Sequence, residues 1–373
     1  MPGGSMNIAY VKTPDENALE TAIYADHERS ISDKLAVSAG LRYSYFMNLG
    51  PRVVRQYAAG ETMSESSIID SVSYGAWKVS KAYGGFEPRL GIRYAISPDM
   101  SIKIGYNMMR QYMQAITNTT TPLPTARWKT SDANIKPQIS QLFTIGWLRN
   151  LKGNTFEVSA EAYWRTTSHT LDYKSGADFM LQPYPETQLL PGKSKAYGLE
   201  MMLSKKKGEL TGWLNYTYAR TLNRVDGSVD FSQQINNGEW YKANYDRPHS
   251  LNLSININQG KYHSFSFNFV YSTGRPFTAP EGQVYYRDRL YPYYGERNQA
   301  RLPDYHRLDF AWNIYNPSMK NRRWQGHWAF TVYNLYGRKN AYSIYFSGSE
   351  PNPYRLAIFA TPIPSLSYNF QFK

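Results

Sequence analysis

Apolar and polar residues alternate one by one along much of the chain. Between Leu251 and Asn258, four aliphatic residues alternate with three asparagines and a serine. A period of two places successive side chains on opposite faces of a β-strand, which a helix cannot do. The pattern therefore predicts an all-β chain of about thirteen strands. These lie near residues 17–30, 34–46, 86–97, 100–115, 138–150, 154–168, 195–206, 210–222, 248–258, 261–273, 304–316, 324–346 and 355–372.

Short and long connections between these strands alternate without exception. The short ones are tight turns such as Ser97–Asp99 and Lys207–Gly208. In an antiparallel sheet, all the long connections then lie at one end, and they cover residues 47–85, 116–137, 169–194, 223–247, 274–303 and 347–354. Short periplasmic turns and long outer loops are typical of transmembrane β-barrels. We predict an antiparallel transmembrane β-barrel, in which long strands cross the bilayer.

The residue content of the chain adds three constraints to this prediction. Aromatic residues make up 16% of the 373 residues, and many stand near predicted strand ends, where amphipathic rings would lie at the lipid headgroups. The chain has no cysteine, which excludes disulfides, thiolate metal ligands and a cysteine nucleophile. No apolar run approaches the ~18 residues that a transmembrane helix needs.

In a membrane barrel the apolar face of each strand meets lipid and the polar face lines the lumen. Leu251, Leu253, Leu308 and Phe310 are therefore predicted to face lipid, because a basic group there would cost about 2–4 kcal/mol at the bilayer midplane. The charged residues of the alternate positions are predicted to face the lumen. They include Arg42, Arg89, Arg93, Glu157, Glu161, Arg165, Glu200, Arg307 and Asp309.

No motif for catalysis or metal binding occurs in the sequence. It contains no glycine-rich phosphate loop, no His-Glu-x-x-His and no Gly-x-Ser-x-Gly, and its six histidines never pair at metal-ligand spacing. Glu157 and Glu161 share a strand face, but four residues along a strand span ~13 Å, too far for a glycosidase pair. We expect no enzyme activity, no catalytic residue, no metal site and no cofactor.

The formal net charge is +13, from 42 basic and 29 acidic residues. The two clusters of basic residues, at 205–207 and 320–323, both fall in short turns, and no recognition helix accompanies them. We therefore expect no nucleic acid as a partner. Outer-membrane lipid and lipopolysaccharide are the expected anionic partners, since each basic group near a membrane surface contributes about 1 kcal/mol.

The best candidate for ligand binding is the long loop from Gln283 to Arg301. Rigid aromatic rings offer a large contact area at low entropic cost, and sugars or peptides stack on them. An equally good interpretation is that these rings pack on neighbouring loops to keep the segment ordered. The candidate residues are Tyr285, Tyr286, Arg287, Arg289, Tyr291, Tyr293, Tyr294 and Arg297.

Several local motifs, in order along the chain, carry a resemblance to a known family. The stretches are Tyr197–Glu200 with Gly212–Tyr218, Asp246–His249, Ser272–Pro276, Pro303–Asp309, Tyr333–Tyr336 with Lys339–Asn340, and the alternating aromatic end Pro364–Lys373. Together they resemble the C-terminal half of TonB-dependent outer-membrane receptors, which are plugged barrels of about 22 strands. One departure is that the last aromatic residue, Phe372, is penultimate rather than terminal.

The resemblance implies a receptor in the outer membrane of a Gram-negative bacterium. Such a receptor binds a nutrient at its outer loops and passes it through the barrel lumen, using energy coupled through the TonB system. The implied partners are the TonB system, a surface lipoprotein and a small-molecule, glycan or peptide ligand. A passive porin-like barrel and a soluble β-rich adhesin or carbohydrate-binding protein are the alternatives.

The domain organisation follows from the same resemblance. Residues 1–15 are expected to be a loop or the start of a fragment, and residues 16–373 the C-terminal part of the barrel, without the plug domain and the first strands. Thirteen strands is an odd number, whereas bacterial single-chain barrels have even numbers. We therefore expect unpaired edges near residues 17–30 and 355–372, and about nine of about 22 strands to be missing.

Overall fold

Thirteen long antiparallel strands form one sheet in the computed structural model. The structure describes residues 15–116, 127–177, 179, 184–227, 233–286, 289–319, 323–346 and 353–372. The strands are β1 (Asn17–Ser30), β2 (Leu35–Leu49), β3 (Val79–Ser97), β4 (Met100–Gln111), β5 (Gln138–Leu151), β6 (Phe156–Tyr173), β7 (Leu189–Lys205), β8 (Leu210–Arg224), β9 (His249–Gln259), β10 (His263–Ser272), β11 (Tyr305–Tyr315), β12 (Trp324–Tyr333) and β13 (Ile363–Phe372).

Each strand from β2 to β12 pairs with the strand that precedes it and the strand that follows it in the chain. The order runs from β1 to β13 without a crossover, and a two-residue strand, Tyr241–Lys242, pairs in addition with β8. The predicted all-β fold and its thirteen-strand sheet are therefore confirmed. Strands β1 and β13 end this order, and they do not pair with each other among the described residues. No helix in the described residues is long and apolar enough to cross a membrane.

The long loops contain short hairpins of their own. These are Arg52–Tyr57 with Ile68–Tyr74, Met113–Ile116 with Arg127–Thr130, Pro276–Phe277 with Ala300–Arg301, Pro280–Tyr286 with Arg289–Tyr294, and Ala341–Phe346 with Pro353–Ala357. All of them lie at the same end of the sheet, which we call the long-loop end, because the connections at the other end are short turns.

The last two strands are shorter than the alternation predicts. Segment 324–346 is not one strand, because β12 stops at Tyr333 and Asn334 takes a left-handed backbone conformation with φ of 55°. The Asn334 side chain, which is almost fully buried, donates to the carbonyls of Arg338 and Phe359 at 3.1 and 3.0 Å. This asparagine ends the strand and ties the sixth long loop (334–362) to itself.

The two faces of the sheet differ in character, as the alternation predicts. The register pairs Leu253 with Leu214 and Phe269, and it pairs the next residue, Ser254, with Trp213 and Asn268 on the opposite face. Large apolar side chains on the first face are exposed, for example Phe86 at 59% and Phe143 at 52%. Within the described part of the chain, these apolar side chains are therefore left uncovered by other elements.

The buried hydrophobic core lies among the long loops instead. One cluster joins Ile116 and Ile135 of the second long loop (112–137) to Phe179 of the third (174–188) and to Leu189. A second cluster joins Leu190 to Val225, Ile235 and Tyr241 of the fourth long loop (225–248). The loops therefore form a packed layer at one end of the sheet.

Candidate ligand-binding site

All nine charged residues predicted to face the lumen lie on one face of the sheet, which we call the polar face. Arg42 lies opposite Glu87 in the register, and Arg93 lies opposite Lys103. The same face can be followed from strand to strand through Glu161 and Glu200. It ends at Asn268, which lies opposite Asp309. Part of this charge is balanced locally. Arg42 contacts Glu87 at 3.2 Å, and Arg307 contacts Asp309 at 2.8 Å.

A β-bulge near the long-loop end of β6 changes which residues reach the polar face. The register against β7 shifts between Ser168 and Thr170, so His169 is the extra residue, and its φ is 57°. Before the bulge the odd-numbered residues, such as Arg165, face the polar side. After it the even-numbered residues do, and Asp172 is brought onto that face.

Asp172 joins the sheet to the fourth and fifth long loops, the fifth being residues 273–304. One carboxylate oxygen accepts a hydrogen bond from the Arg297 guanidinium and the other accepts from the Tyr241 hydroxyl. Arg297 also donates to the carbonyl of Tyr173 at 2.9 Å, and its guanidinium lies 4.2 Å from the centre of the Tyr173 ring. The ion pair is nearly buried, with 11% and 10% of the Asp172 and Arg297 side chains exposed.

Other contacts join the loops to one another. The Asn236 amide and the Arg297 backbone exchange two hydrogen bonds, at 2.7 and 3.1 Å. In the first long loop (50–78), the Tyr57 hydroxyl donates to Glu186 of the third loop at 3.0 Å, and the Arg55 guanidinium lies 3.2 Å from the centre of the Tyr184 ring. The first and third loops are thus joined, as are the fourth and fifth.

Two of these contacts are predicted to make the loop layer sensitive to alkaline pH. Burial raises the pKa of Tyr57 and of Tyr241 above the ordinary value of 10.0, and the adjacent carboxylates of Glu186 and Asp172 raise them further. Because the folded-state pKa values are raised, the stabilisation is complete below pH 10.0 and is lost as the pH rises above it.

We expect the thermal unfolding temperature of the protein to decrease with a steady slope as the pH rises above about 10. The reason is that the phenols of the unfolded chain ionise before those of the folded protein. Differential scanning calorimetry over an alkaline pH series measures this slope. Tyr57→Phe and Tyr241→Phe should each flatten it, whereas Tyr262→Phe, at an exposed short turn, should leave it unchanged. Equal slopes in all four proteins would contradict the assignment.

The predicted tyrosine loop is a β-hairpin that projects from the loop layer. Pairing of Val284 with Tyr291 and of Gly282 with Tyr293 places these residues on one face, and Tyr285, opposite Leu290, lies on the other. The rings are exposed, Tyr285 at 67%, and Tyr286, Tyr291, Tyr293 and Tyr294 are also open to solvent. The structure therefore places these five tyrosines at the surface rather than in a packed loop interior.

The three candidate arginines of this loop have different positions. Arg297 lies in the ion pair with Asp172, below the hairpin. Arg289 pairs with Tyr286 next to the hairpin turn, and Arg287 lies outside the described residues.

A polar cavity of about 370 Å³ lies between the polar face and the loop layer. Its floor is formed by β6, β7 and β8, and its roof by residues of the fourth and fifth loops. Arg165 and Arg297, which the sequence assigned to two separate groups, both line it.

The motifs that carried the family resemblance stand where strands meet long loops. The Asp246 side chain, fully buried, accepts from Arg220 and Arg301 and from the backbone N–H of Thr221 at 2.7 Å. Asp304 accepts from the Gly274 N–H at 2.9 Å and from the Tyr271 hydroxyl at 2.7 Å. These acids fix the geometry from which the long loops project.

The sequence matches one protein family over nearly its whole length. The family described as TonB dependent receptor-like, beta-barrel, matches residues 3–335. The chain belongs to the TonB-dependent receptor family. Proteins of this family are transporters of the outer membrane and not enzymes.

Solved receptors of this family share the fold of the chain. The FrpB iron transporter from Neisseria meningitidis superposes with a TM-score of 0.58 at 14% identity, covering 96% of this chain and 46% of FrpB. The ferric-catecholate import receptor Fiu from E. coli K12 superposes with a TM-score of 0.57 at 14% identity, covering 95% of this chain and 44% of Fiu. The ferric citrate transporter FecA superposes with a TM-score of 0.56 at 11% identity, covering 95% of this chain and 45% of FecA.

The chain thus spans less than half the length of these receptors. At such low identity the likeness concerns the fold. No curated protein matches the sequence.

Proposed function

We propose that this chain is the C-terminal barrel part of an outer-membrane TonB-dependent receptor, with the plug domain and the first strands contributed by other sequence. It captures a nutrient at the long loops and passes it through the lumen to the periplasm with TonB-coupled energy. The observation that carries the proposal is the sheet itself. One face is apolar and exposed, the other is polar and charged, and every long loop lies at one end.

The physical environment of each face follows from this arrangement. The exposed apolar face is suited to lipid, and the polar face to a water-filled or protein-filled lumen. The basic excess of the chain is suited to anionic lipid and lipopolysaccharide at the membrane surface. A surface lipoprotein that covers the long loops is a further proposed partner.

Nutrient capture is assigned to the tyrosine hairpin of the fifth loop. Its five exposed rings offer stacking surfaces on one projecting element. The candidate arginines of the same segment of the sequence, Arg287 and Arg289, add positive charge to it. Several similar receptors are named for iron, ferric chelates or copper. Exposed tyrosines suit an organic ligand better than a bare metal ion, because phenol rings contribute contact area rather than metal coordination.

The proposal is tested by membrane assembly and by energy dependence. The intact protein should migrate faster in an unheated detergent gel than after boiling, and uptake of its nutrient should stop in cells that lack TonB. Uptake that continues without TonB would favour a passive porin. A protein that stays soluble without detergent and shows no heat-dependent shift would favour the adhesin.

Removing the tyrosine rings is expected to weaken nutrient binding. Each stacked ring contributes on the order of 1 kcal/mol, so alanine at Tyr285, Tyr286, Tyr293 or Tyr294 should raise the dissociation constant about fivefold. Isothermal titration of the detergent-solubilised protein measures this change. Tyr262→Ala, an exposed tyrosine at a short turn, is the matched control. Unchanged binding in all four variants, with normal heat-dependent migration, would show that the rings serve another purpose.

A further inference from the structure

The cavity below the loop layer carries a guanidinium group that points to the chemistry of its ligand. Arg165 lies on the polar face of β6, exposed toward the cavity. Its Nε donates to the Ser140 hydroxyl at 2.9 Å, and that hydroxyl also accepts from Thr167 at 3.3 Å. The Ser140 contact fixes the plane of the guanidinium and leaves its two terminal nitrogens for other partners.

No carboxylate balances Arg165 in the described part of the chain. Among those residues, none lies within 4 Å of its guanidinium nitrogens. The acid that lines the cavity, Asp172, already has one oxygen bonded to Arg297 and the other to Tyr241. The Asp172–Arg297 pair cancels its own charge, so Arg165 leaves the cavity with a positive charge.

The rest of the lining consists mainly of hydroxyl and amide groups. Ser194, Thr221 and Asn223 line it from the polar face, and Asn244 and Tyr245 line it from the fourth loop. Such groups donate and accept hydrogen bonds with ligand hydroxyls. A volume of about 370 Å³ is at the small end for ligand pockets. It suits a monosaccharide-sized molecule, or the end group of a longer one.

We propose that this cavity binds an oxyanion, the carboxylate or phosphate group of a small hydroxyl-rich ligand, through the terminal guanidinium nitrogens of Arg165. A planar guanidinium matches the two oxygens of such a group with paired hydrogen bonds. The inference rests on the proposed function in so far as the ligand is one that the receptor captures. The inference adds that this ligand is negatively charged and that Arg165 binds its charged group.

The test uses the intact protein in detergent and three probes: galacturonate, its neutral counterpart galactose, and inorganic phosphate. Titration calorimetry should show that the wild type binds galacturonate or phosphate at least about tenfold more tightly than galactose, because charged hydrogen bonds are the stronger ones. Binding of galacturonate alone assigns a carboxylate, binding of phosphate alone assigns a phosphate, and binding of both assigns a general oxyanion site. Binding of neither anion at millimolar concentration overturns the proposal.

Arg165→Gln should weaken the anion about tenfold or more and leave galactose unchanged. Lys103→Gln removes one positive charge from the same polar face outside the cavity, and it should leave the anion affinity within about twofold, since exposed charges at a distance are screened by salt. If Arg165→Gln and Lys103→Gln lower the anion affinity equally, the net charge of the protein explains the binding, and the proposal is overturned.

Arg165→Lys separates geometry from charge and also covers the case in which the glutamine variant does not fold. Lysine keeps the positive charge but loses the planar, forked arrangement of N–H donors. The anion affinity of this variant should therefore lie between that of the wild type and that of Arg165→Gln. A lysine variant that binds the anion as tightly as the wild type would contradict the role of the planar guanidinium. Heat-dependent migration and TonB-dependent uptake are separate readouts, so a failure of the proposed function is distinguishable from a failure of this site.

Discussion

Asp172→Asn is expected to lower the free energy of unfolding by about 3 kcal/mol. The substitution keeps the size of the side chain but leaves the Arg297 guanidinium nearly buried without its carboxylate partner. Removing one partner of a buried ion pair is costly because the remaining charge is left uncompensated. The effect should be concentrated where Asp172 holds the fourth and fifth loops to the sheet.

Urea unfolding of the protein in lipid micelles, followed by tryptophan fluorescence, measures the total loss, and limited proteolysis measures loosening within 225–248 and 273–304. Asp226→Asn is the matched control, because Asp226 pairs with Lys193 at 3.8 Å with both side chains exposed. Exposed pairs contribute about 0–1 kcal/mol. Equal losses in the two variants would contradict the central position of Asp172. Adding Arg297→Gln to Asp172→Asn should restore part of the stability, since it removes the unpaired charge.

Leu253→Arg is expected to cost about 2–4 kcal/mol, while Asn252→Arg should cost less than about 1 kcal/mol. The two residues are neighbours near the middle of β9, so they lie at almost the same depth and differ in the face they occupy. Leu253 pairs with Leu214 and Phe269 on the apolar face, whereas Asn252 pairs with Asn215 and Val270 on the polar face.

The fraction of folded protein after reconstitution into vesicles, read from heat-dependent gel migration, compares the two variants directly. Equal fractions for Leu253→Arg and Asn252→Arg would mean that the two faces meet the same solvent. A larger loss for Asn252→Arg would mean that the faces are reversed.

Much of the sheet was predictable because strands obey a short-range rule. A period of two sets the face of each side chain, and tight turns such as Lys207–Gly208 fix the register locally. The ends of β12 and β13 were not predictable in this way. Strand β12 ends at Tyr333 because of Asn334, which stands at a position where the alternation requires an apolar residue, and whose contacts with Arg338 and Phe359 are not visible in the sequence pattern.

The candidate site was predictable only in part. The Arg165 position followed from alternation, since it precedes the bulge in β6. Asp172 was missed because the alternation breaks at the extra residue, His169, so the sequence predicted a strand that ends at residue 168, whereas the strand continues to Tyr173 with its faces inverted. The only sequence signal was a break in alternation after Thr167. The Asp172–Arg297 pair joins residues 125 positions apart, so its prediction required the fold.

A receptor barrel requires that the two faces of the sheet meet lipid and lumen, respectively. The chain lacks cysteine, so single cysteines can be placed one at a time along β9, from His249 to Gln259, and labelled with a nitroxide. Electron paramagnetic resonance of the labelled protein in lipid vesicles then compares collisions with oxygen, which concentrates in lipid, and with a water-soluble nickel chelate. We expect a period of two, with oxygen favoured at positions 251, 253, 255 and 257 and the nickel chelate at 252, 254 and 256. Equal access along the strand, or nickel access at the odd-numbered positions, would contradict the account.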